Sequence, residues 1–548
     1  MSMKVVHRLP GQHRLVAAIA LVHAIAWIGY CGQVELGQFP TKETEALLQS
    51  AQQWAQGDLP ETSPKTVYLL ILALFTRILQ TPEDTLLGIR LFNAICYALS
   101  AGFCAAASAF IWRKTPAIWI SGLLVALNPI LVFWTIDPSP ALPALACLSF
   151  ACWKLLHWMR RPDLFGVILV SLSFSLCAAM NTALLGPALL WPIIALLYPR
   201  KGSVAQGLTS LLTTLCTGVT LFVFGFQLQN PIAFRFFEIL SNLYGFFGSY
   251  EPTDAKNYAF YQQLYLILKI NLIQWGLLLI LAIAGCYARL KNGHKGRSIY
   301  IFGSIFLVFS LIYVFQEPRS TQRLGIVPVL AILGGGAASI PHIWRFAGRT
   351  TRRKIWVSAS ALCLLTFSSY LIPKEPKLYL GDKQYLAQAN LAINQHGKAR
   401  IWAQKSLEID ESLTEMQAVI IQSKFEDWAL LAEWRPLTVE ETNELLGETE
   451  SLQDKNPTVQ VIQGIYHWKL RQPEKALELW EANKTQSALA LVCLFWIRET
   501  PKPSEAELIS YKNSKDYDLL VNAVNADRAS PRYTVMERMF DNLLSYAH

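Results

Sequence analysis

The side chains best suited to chemistry lie in the polar stretches between apolar blocks. The stretch Gln33–Tyr68 reads QVELGQFPTKETEALLQSAQQWAQGDLPETSPKTVY and carries Glu35, Glu43, Glu45, Asp58 and Glu61. With Thr41 as N-cap, Glu43 and Glu45 fall in the first turn of a helix that runs to Gln56. A carboxylate so placed can take the proton of a hydroxyl as a general base, or simply favour the positive end of the helix dipole. Asp137 stands in the short turn Thr135-Ile136-Asp137-Pro138, where it can orient an acceptor, help hold a divalent cation such as Mg or Mn, or cap the next helix. Arg319 and Arg323 sit in EPRSTQRLGIVPVL. A guanidinium there can grip a phosphate bidentately, pair with Glu317, or snorkel toward headgroups; Lys65 and Arg77 are further cationic candidates. The stretch from Leu228 to Leu264 and its edge hold Tyr244, Tyr250, Tyr258, Tyr261 and Tyr265 with Glu251 and Asp254. Aromatic faces and acidic acceptors suit a sugar, and tyrosines also form ordinary interfacial belts.

The elements that position these residues are read from hydropathy. The 548 residues are 53% hydrophobic and only 16% charged, too apolar for a soluble protein of this length. Residues 1–372 come in apolar blocks long enough to cross a bilayer, and residues 373–548 do not. The expected fold is therefore all-α, a polytopic membrane domain followed by a soluble helical one. About eleven spans are predicted, over 15–31, 85–111, 117–135, 141–159, 165–180, 183–198, 205–227, 265–288, 298–316, 324–342 and 355–372. The first is read as a retained helix rather than a cleaved signal.

Alternate junctions are basic: Arg113-Lys114, Arg160-Arg161, Arg200-Lys201, the Arg289/Lys291/Lys295/Arg297 group, and Arg345/Arg349/Arg352/Arg353/Lys354. By the positive-inside rule these face the cytoplasm, which puts the N-terminus inside and the C-terminal domain outside a bacterial cytoplasmic membrane. The apolar block 66–79 would invert that pattern as a span and is read as an interfacial helix on the outer side. The net charge of +9 is spread over these junctions, so it marks topology rather than a nucleic-acid face. Most of the ten cysteines lie within apolar blocks and read as small core residues. No P-loop, zinc motif or Ser-His-Asp pattern stands out. In the tail, Ala387, Ala399 and Ala403, and again Gly464, Ala476 and Trp480, stand at the spacing of tetratricopeptide (TPR) repeats, with an irregular helical domain as the other reading.

The segment FPTKETE, the helix ending WAQGD, the SPKTVY that follows, the short Asp137 turn and the arginines before Val327 resemble, in that order, the C-type (GT-C) membrane glycosyltransferases. These include protein mannosyltransferases and lipid A aminoarabinose transferases. The family's first external loop opens on an Asp-Glu pair, for which Lys42-Glu43 stands here, and closes on a Pro pair, for which Pro64-Lys65 stands. The resemblance implies a catalytic loop over about 32–84, a polyprenyl-phosphate-linked sugar donor and an external lipid, glycan or protein acceptor. It also implies Glu43 or Glu45 as base, Asp137 as a second catalytic carboxylate, and Arg319, Arg323 and Lys65 at the lipid phosphate. Tyr250, Glu251 and Tyr258 are the candidates for the sugar. A catalytically inactive scaffold that recruits a protein partner through the TPR-like tail, and a transporter or flippase, are the alternatives.

Overall fold

The computed structural model describes residues 11–32, 42–56, 66–79, 81–197, 256–265, 275–291, 297–315, 320–346, 348–350, 379–430, 437–450 and 456–497, with single positions elsewhere. Every regular element among them is helical. The chain divides into two compact units, Met1–Glu375 and Pro376–His548.

In the first unit the helices are α1 (Gln12–Cys31), α2 (Lys42–Gln56), α3 (Thr66–Leu79), α4 (Pro82–Trp112), α5 (Thr115–Ala126), α6 (Pro129–Phe133), α7 (Ala141–Arg160), α8 (Leu164–Met180) and α9 (Leu185–Leu197). They continue as α10 (Tyr258–Leu264), α11 (Trp275–Lys291), α12 (Arg297–Phe315), α13 (Ser320–Leu324), α14 (Val327–Gly334) and α15 (Ile340–Phe346), with a short 3-10 turn joining the last two. Five runs among the described residues are long and apolar enough to cross a membrane: Gln12–Cys31, Asp84–Trp112, Ala141–Arg160, Arg297–Val314 and Val327–Arg345. They fit a multi-pass membrane protein.

The longest helix, α4, lies at the centre and touches α1, α3, α5, α7 and α14. Its start is set by Thr81, whose hydroxyl accepts from the Asp84 amide, with Pro82 in the first turn. Its second half is a run of small buried residues, Ser100, Ala101, Cys104, Ala105, Ala107 and Ser108, which lets neighbours approach closely. The tightest crossing joins α11 to the end of α14. A Cβ on Gly285 would lie 1.9 Å from the Leu333 carbonyl oxygen, and one on Gly336 would lie 2.8 Å from the Gly285 Cα.

Two expected boundaries are corrected. Residues 117–135 do not form one continuous span. The Asn128 carboxamide oxygen accepts from the amides of Ile130 and Leu131, and Pro129 opens a new helix, so α5 stops and α6 restarts. The helix expected from 265 begins at Trp275. The expected interfacial segment is α3, which buries Tyr68, Leu69 and Leu72 and turns Leu70, Leu74 and Ile78 outward as an apolar stripe. The expected span at 205–227 lies almost wholly outside the described residues, as does most of 355–372.

The second unit contains α16 (Leu380–Ala392), α17 (His396–Leu407), α18 (Thr414–Leu430), α19 (Val439–Glu450), α20 (Pro457–Lys469), α21 (Pro473–Asn483) and α22 (Ala488–Trp496). Two hairpins share one backbone design. Asn394 and Arg471 both turn with positive φ, 60° and 59°. The following amides, of Gln395 and Gln472, bond the carbonyls of Asn390 and His467 at 2.8 and 2.9 Å. Ala387, Ala399 and Ala403 in one hairpin, and Ala476 and Trp480 in the other, are fully buried. A Cβ on Gly464 would strike the Trp480 ring at 2.5 Å, so glycine there sets the distance between α20 and α21. Lys469 is 1% exposed and lies 4.9 Å from the Trp428 ring. Burial pushes its ammonium down to about 8.

Two outcomes are expected. Gly285→Ala must separate α11 from α14 and should lower stability by about 1–3 kcal/mol, read as an earlier thermal midpoint of the purified protein; an unchanged midpoint would refute the close crossing. For Lys469, a folded-state value below the ordinary 10.5 means that the unfolded chain binds more protons between the two values. Wild-type stability should therefore rise relative to Lys469→Met as pH climbs from 8 toward 10.5, and parallel curves would exclude the effect.

Candidate functional site

The described residue that most resembles a reaction centre is Asp137, in the turn between α6 and α7. After α6 the Thr135 hydroxyl donates to the Val132 carbonyl at 2.7 Å, and the Ser139 hydroxyl accepts from the Ala141 amide at 3.3 Å to start α7. The turn, expected on the external side of the membrane, is buried within the protein: Thr135, Ile136, Asp137 and Ser139 are all 8% exposed or less. Segments distant in sequence cover it.

Arg90 and Asn93, one helical turn apart on α4, hold the turn by its backbone. The Arg90 Nε donates to the Ile136 carbonyl at 3.0 Å, and the Asn93 Nδ2 donates to the carbonyls of Asp137 at 2.9 Å and Thr135 at 3.4 Å. The Asp137 carboxylate itself is met from another quarter. Lys256 Nζ lies 2.8 Å from Oδ1, and the Lys256 side chain is 1% exposed. The carboxylate thus pairs with a lysine, while an arginine holds the backbone of the residue before it. Cys31, at the end of α1, lies within electrostatic reach of Asp137, Lys256 and Arg90 together.

Two polar atoms around the turn are buried without a hydrogen-bond partner among the described residues: Asp137 Oδ2 and Asn93 Oδ1. Tyr68, on α3, also lies within electrostatic reach of Asp137. Buried polar atoms of this kind are a few per hundred residues in native proteins, and two at one turn ask for a cause.

The aromatic side of the site is built by α10. Tyr258 and Tyr261 pack on Phe133 with ring centres 5.6 and 5.7 Å away, and Tyr265 stacks on Tyr261 and meets Tyr30 edge-on. Tyr258, expected at a sugar, is buried, and its hydroxyl donates to the Leu268 carbonyl at 3.3 Å. It holds α10 against α6. Arg323, expected at a phosphate, is fully buried on α13 with its guanidinium 4.6 Å from the Trp275 ring. Trp275 is fixed in turn by its indole N–H on the Phe246 carbonyl at 2.7 Å. The Asn181 side-chain Nδ2 donates to the Gln322 carbonyl at 3.3 Å, and Gly325 leaves it room: a Cβ there would come within 2.7 Å of Asn181 Nδ2.

Glu43 and Glu45 belong to the first turns of α2, but their side chains lie outside the described residues, as do Lys65, Tyr250, Glu251 and Arg319. The rest of α2 is placed: Leu47, Leu48 and Ala51 pack with Tyr68, Leu69, Leu72 and Ile89, which links α2 through α3 to the head of α4. Among the described residues no three His, Cys, Asp or Glu side chains gather to hold a metal ion. One carboxylate already paired with a lysine is a poor donor set for Mg or Mn.

Lys256, Arg90, Asn93 and Tyr68 escaped the sequence reading as site residues. Arg90 and Asn93 were visible as polar residues three apart inside LLGIRLFNAI. Nothing local marks Lys256, whose partner is 119 residues away. No protein-family model matches the chain, and no curated protein matches it significantly.

Removing one partner of a buried ion pair leaves the other charge uncompensated, at a cost of about 3–5 kcal/mol. Lys256→Met is expected to lower the thermal midpoint sharply, and Asp137→Asn combined with Lys256→Met to regain most of the loss. A double variant no more stable than the single one would show that the pair is not coupled.

Proposed function

We propose that the protein is a membrane glycosyltransferase that moves a sugar from a polyprenyl-phosphate-linked donor to a lipid, glycan or protein acceptor at the outer face of a bacterial inner membrane. The observation that carries this reading is Asp137: a buried carboxylate paired through one oxygen with Lys256, its other oxygen without a partner among the described residues, in a turn that Arg90 holds by its backbone. The order of motifs shared with C-type glycosyltransferases supports it.

In the reaction a carboxylate takes the proton of the acceptor hydroxyl. The hydroxyl oxygen forms a bond to the anomeric carbon with inversion, and the bond to the phosphate breaks with its electron pair leaving on the lipid phosphate. Asp137 Oδ2 is the oxygen left for the hydroxyl once Oδ1 is held by Lys256, and Glu43 and Glu45 at the head of α2 are the competing bases. Arg319, Arg323 and Lys65 are assigned to the lipid phosphate, and Tyr250, Glu251 and Tyr258 to the sugar, on the family resemblance. The same reading takes about eleven spans, a cytoplasmic N-terminus and an external TPR-like unit that binds a protein partner.

A second reading has one observation in its favour. Lys256 neutralises Asp137 in this conformation, as suits an inactive scaffold that works through its TPR-like unit.

The deciding assay is transfer of radiolabelled sugar from a panel of polyprenyl-phosphate donors in membranes, at matched protein levels. Asp137→Asn is expected to lose about 100-fold or more of the wild-type rate, and Glu43→Gln and Glu45→Gln show whether α2 supplies the base instead. Full activity in all three variants would move the active site elsewhere. No transfer by the wild type across the panel would favour the scaffold.

A further inference from the structure

At the end of α4 remote from Arg90, cations collect from three parts of the chain. Arg160, the last residue of α7, stacks its guanidinium 4.5 Å from the Phe110 ring and donates to the Phe110 carbonyl. Arg289 of α11 lies 5.9 Å from the ring of Trp112, which is fixed by its indole N–H on the Ile332 carbonyl at 2.9 Å. Between them Arg113 caps α4 at φ 53°, a left-handed conformation uncommon for any residue with a Cβ. Lys114 follows, with its ammonium 3.4 Å from the Ser339 hydroxyl. Arg113 is close enough to both Arg160 and Arg289 for the like charges to repel.

Among the described residues none of the four forms an ion pair with a carboxylate. The nearest acid along the chain, Asp163, accepts from the Gly166 amide as the cap of α8. Arg113, Lys114 and Arg160 are exposed and Arg289 is half-buried, so an anion from outside can reach all four.

Depth identifies the anion's source. The 20 residues of α7 run from beside the Asp137 turn to Arg160, a length of about 30 Å, which matches the hydrocarbon core of a bilayer. The cluster therefore stands at the headgroups of the leaflet opposite Asp137, where lipid phosphates are concentrated. Planar guanidinium groups held over aromatic rings are already oriented for bidentate contact with phosphate oxygens.

We infer that Arg113, Lys114, Arg160 and Arg289 form a binding site for the phosphate headgroup of an anionic phospholipid. The bound lipid offsets the mutual repulsion of the cluster and ties the ends of α4, α7 and α11 together. The site is separate from the transferase reading and stands whether or not that reading holds.

The test uses the full-length protein in mild detergent, with native mass spectrometry and thermal unfolding in the presence of phosphatidylglycerol, phosphatidylcholine or inorganic phosphate. The wild type should retain phosphatidylglycerol in preference to phosphatidylcholine and melt later with it. Arg113→Gln/Arg160→Gln/Arg289→Gln should weaken phosphatidylglycerol binding on the order of 100-fold, at roughly a factor of five for each charge lost. The corresponding triple Lys variant should keep most of the binding, and Arg349→Gln/Arg352→Gln/Arg353→Gln, which removes equal charge from another segment, should leave it unchanged. The single variant Arg289→Gln, expected to fall about fivefold, serves if the triple variant does not fold. Equal retention of the two lipids by the wild type would overturn the inference, as would undiminished binding by the Gln variants. Equal loss in the control variant would reduce the effect to general surface charge, and stabilisation by inorganic phosphate equal to that by phosphatidylglycerol would replace the lipid with a soluble anion.

Discussion

The first unit is built around a buried charge that must be matched. An isolated carboxylate in a low-dielectric interior is too costly to stay ionised, so Asp137 constrains whatever surrounds it. Lys256 has to come from 119 residues away, and the chain between them must bring it there. Arg90 and Asn93 must face the same turn, which sets the rotation of α4 about its own axis. The break at Asn128 and the short α6 follow from the same need, since an unbroken helix through 135 would carry Asp137 away from these partners.

The ends of the bundle differ in chemistry. Around Asp137 a lysine is set against a carboxylate, and one carboxylate oxygen and the Asn93 carboxamide oxygen are unmatched among the described residues. At the far end of α4 cations lie on aromatic rings with no carboxylate among the described residues beside them. That end has the features of a surface meeting a layer of phosphates, and the Asp137 end those of a place where something polar is received. Between them α4 presents alanine, serine, cysteine and glycine, and Gly285 and Gly336 bring α11 against α14. In an apolar solvent close packing of this kind is a main source of cohesion between helices, because lipid offers no hydrophobic driving force.

The second unit is a compact helical one. Its hairpins turn at left-handed Asn394 and Arg471, bury small residues where helices meet, and hold Trp480 against Gly464. Lys469 is one of its buried polar groups, an ammonium over the Trp428 ring, along with Asp382, His396 and His467.

The helical class and most of the described helix positions were legible in the sequence because they follow from local periodicity and composition. Apolar runs of bilayer length and the change to polar helices after Pro373 need no tertiary information. The hairpin positions Ala399, Ala403, Ala476 and Trp480 were legible for the same reason, as small or large residues at fixed spacing. Asp137 could be picked out because an acid in a short turn between apolar runs is conspicuous. Its burial could not be, because burial depends on which distant segment covers the turn. The stop at Ala126 was overlooked although Asn128-Pro129 signals it, since the apolar run continues on both sides. The pairing of Asp137 with Lys256, the stacking of Arg323 on Trp275 and the gathering of Arg113, Arg160 and Arg289 were decided by tertiary structure alone. Each joins residues with no periodic relation, and a charge records nothing in the sequence of the partner that will neutralise it.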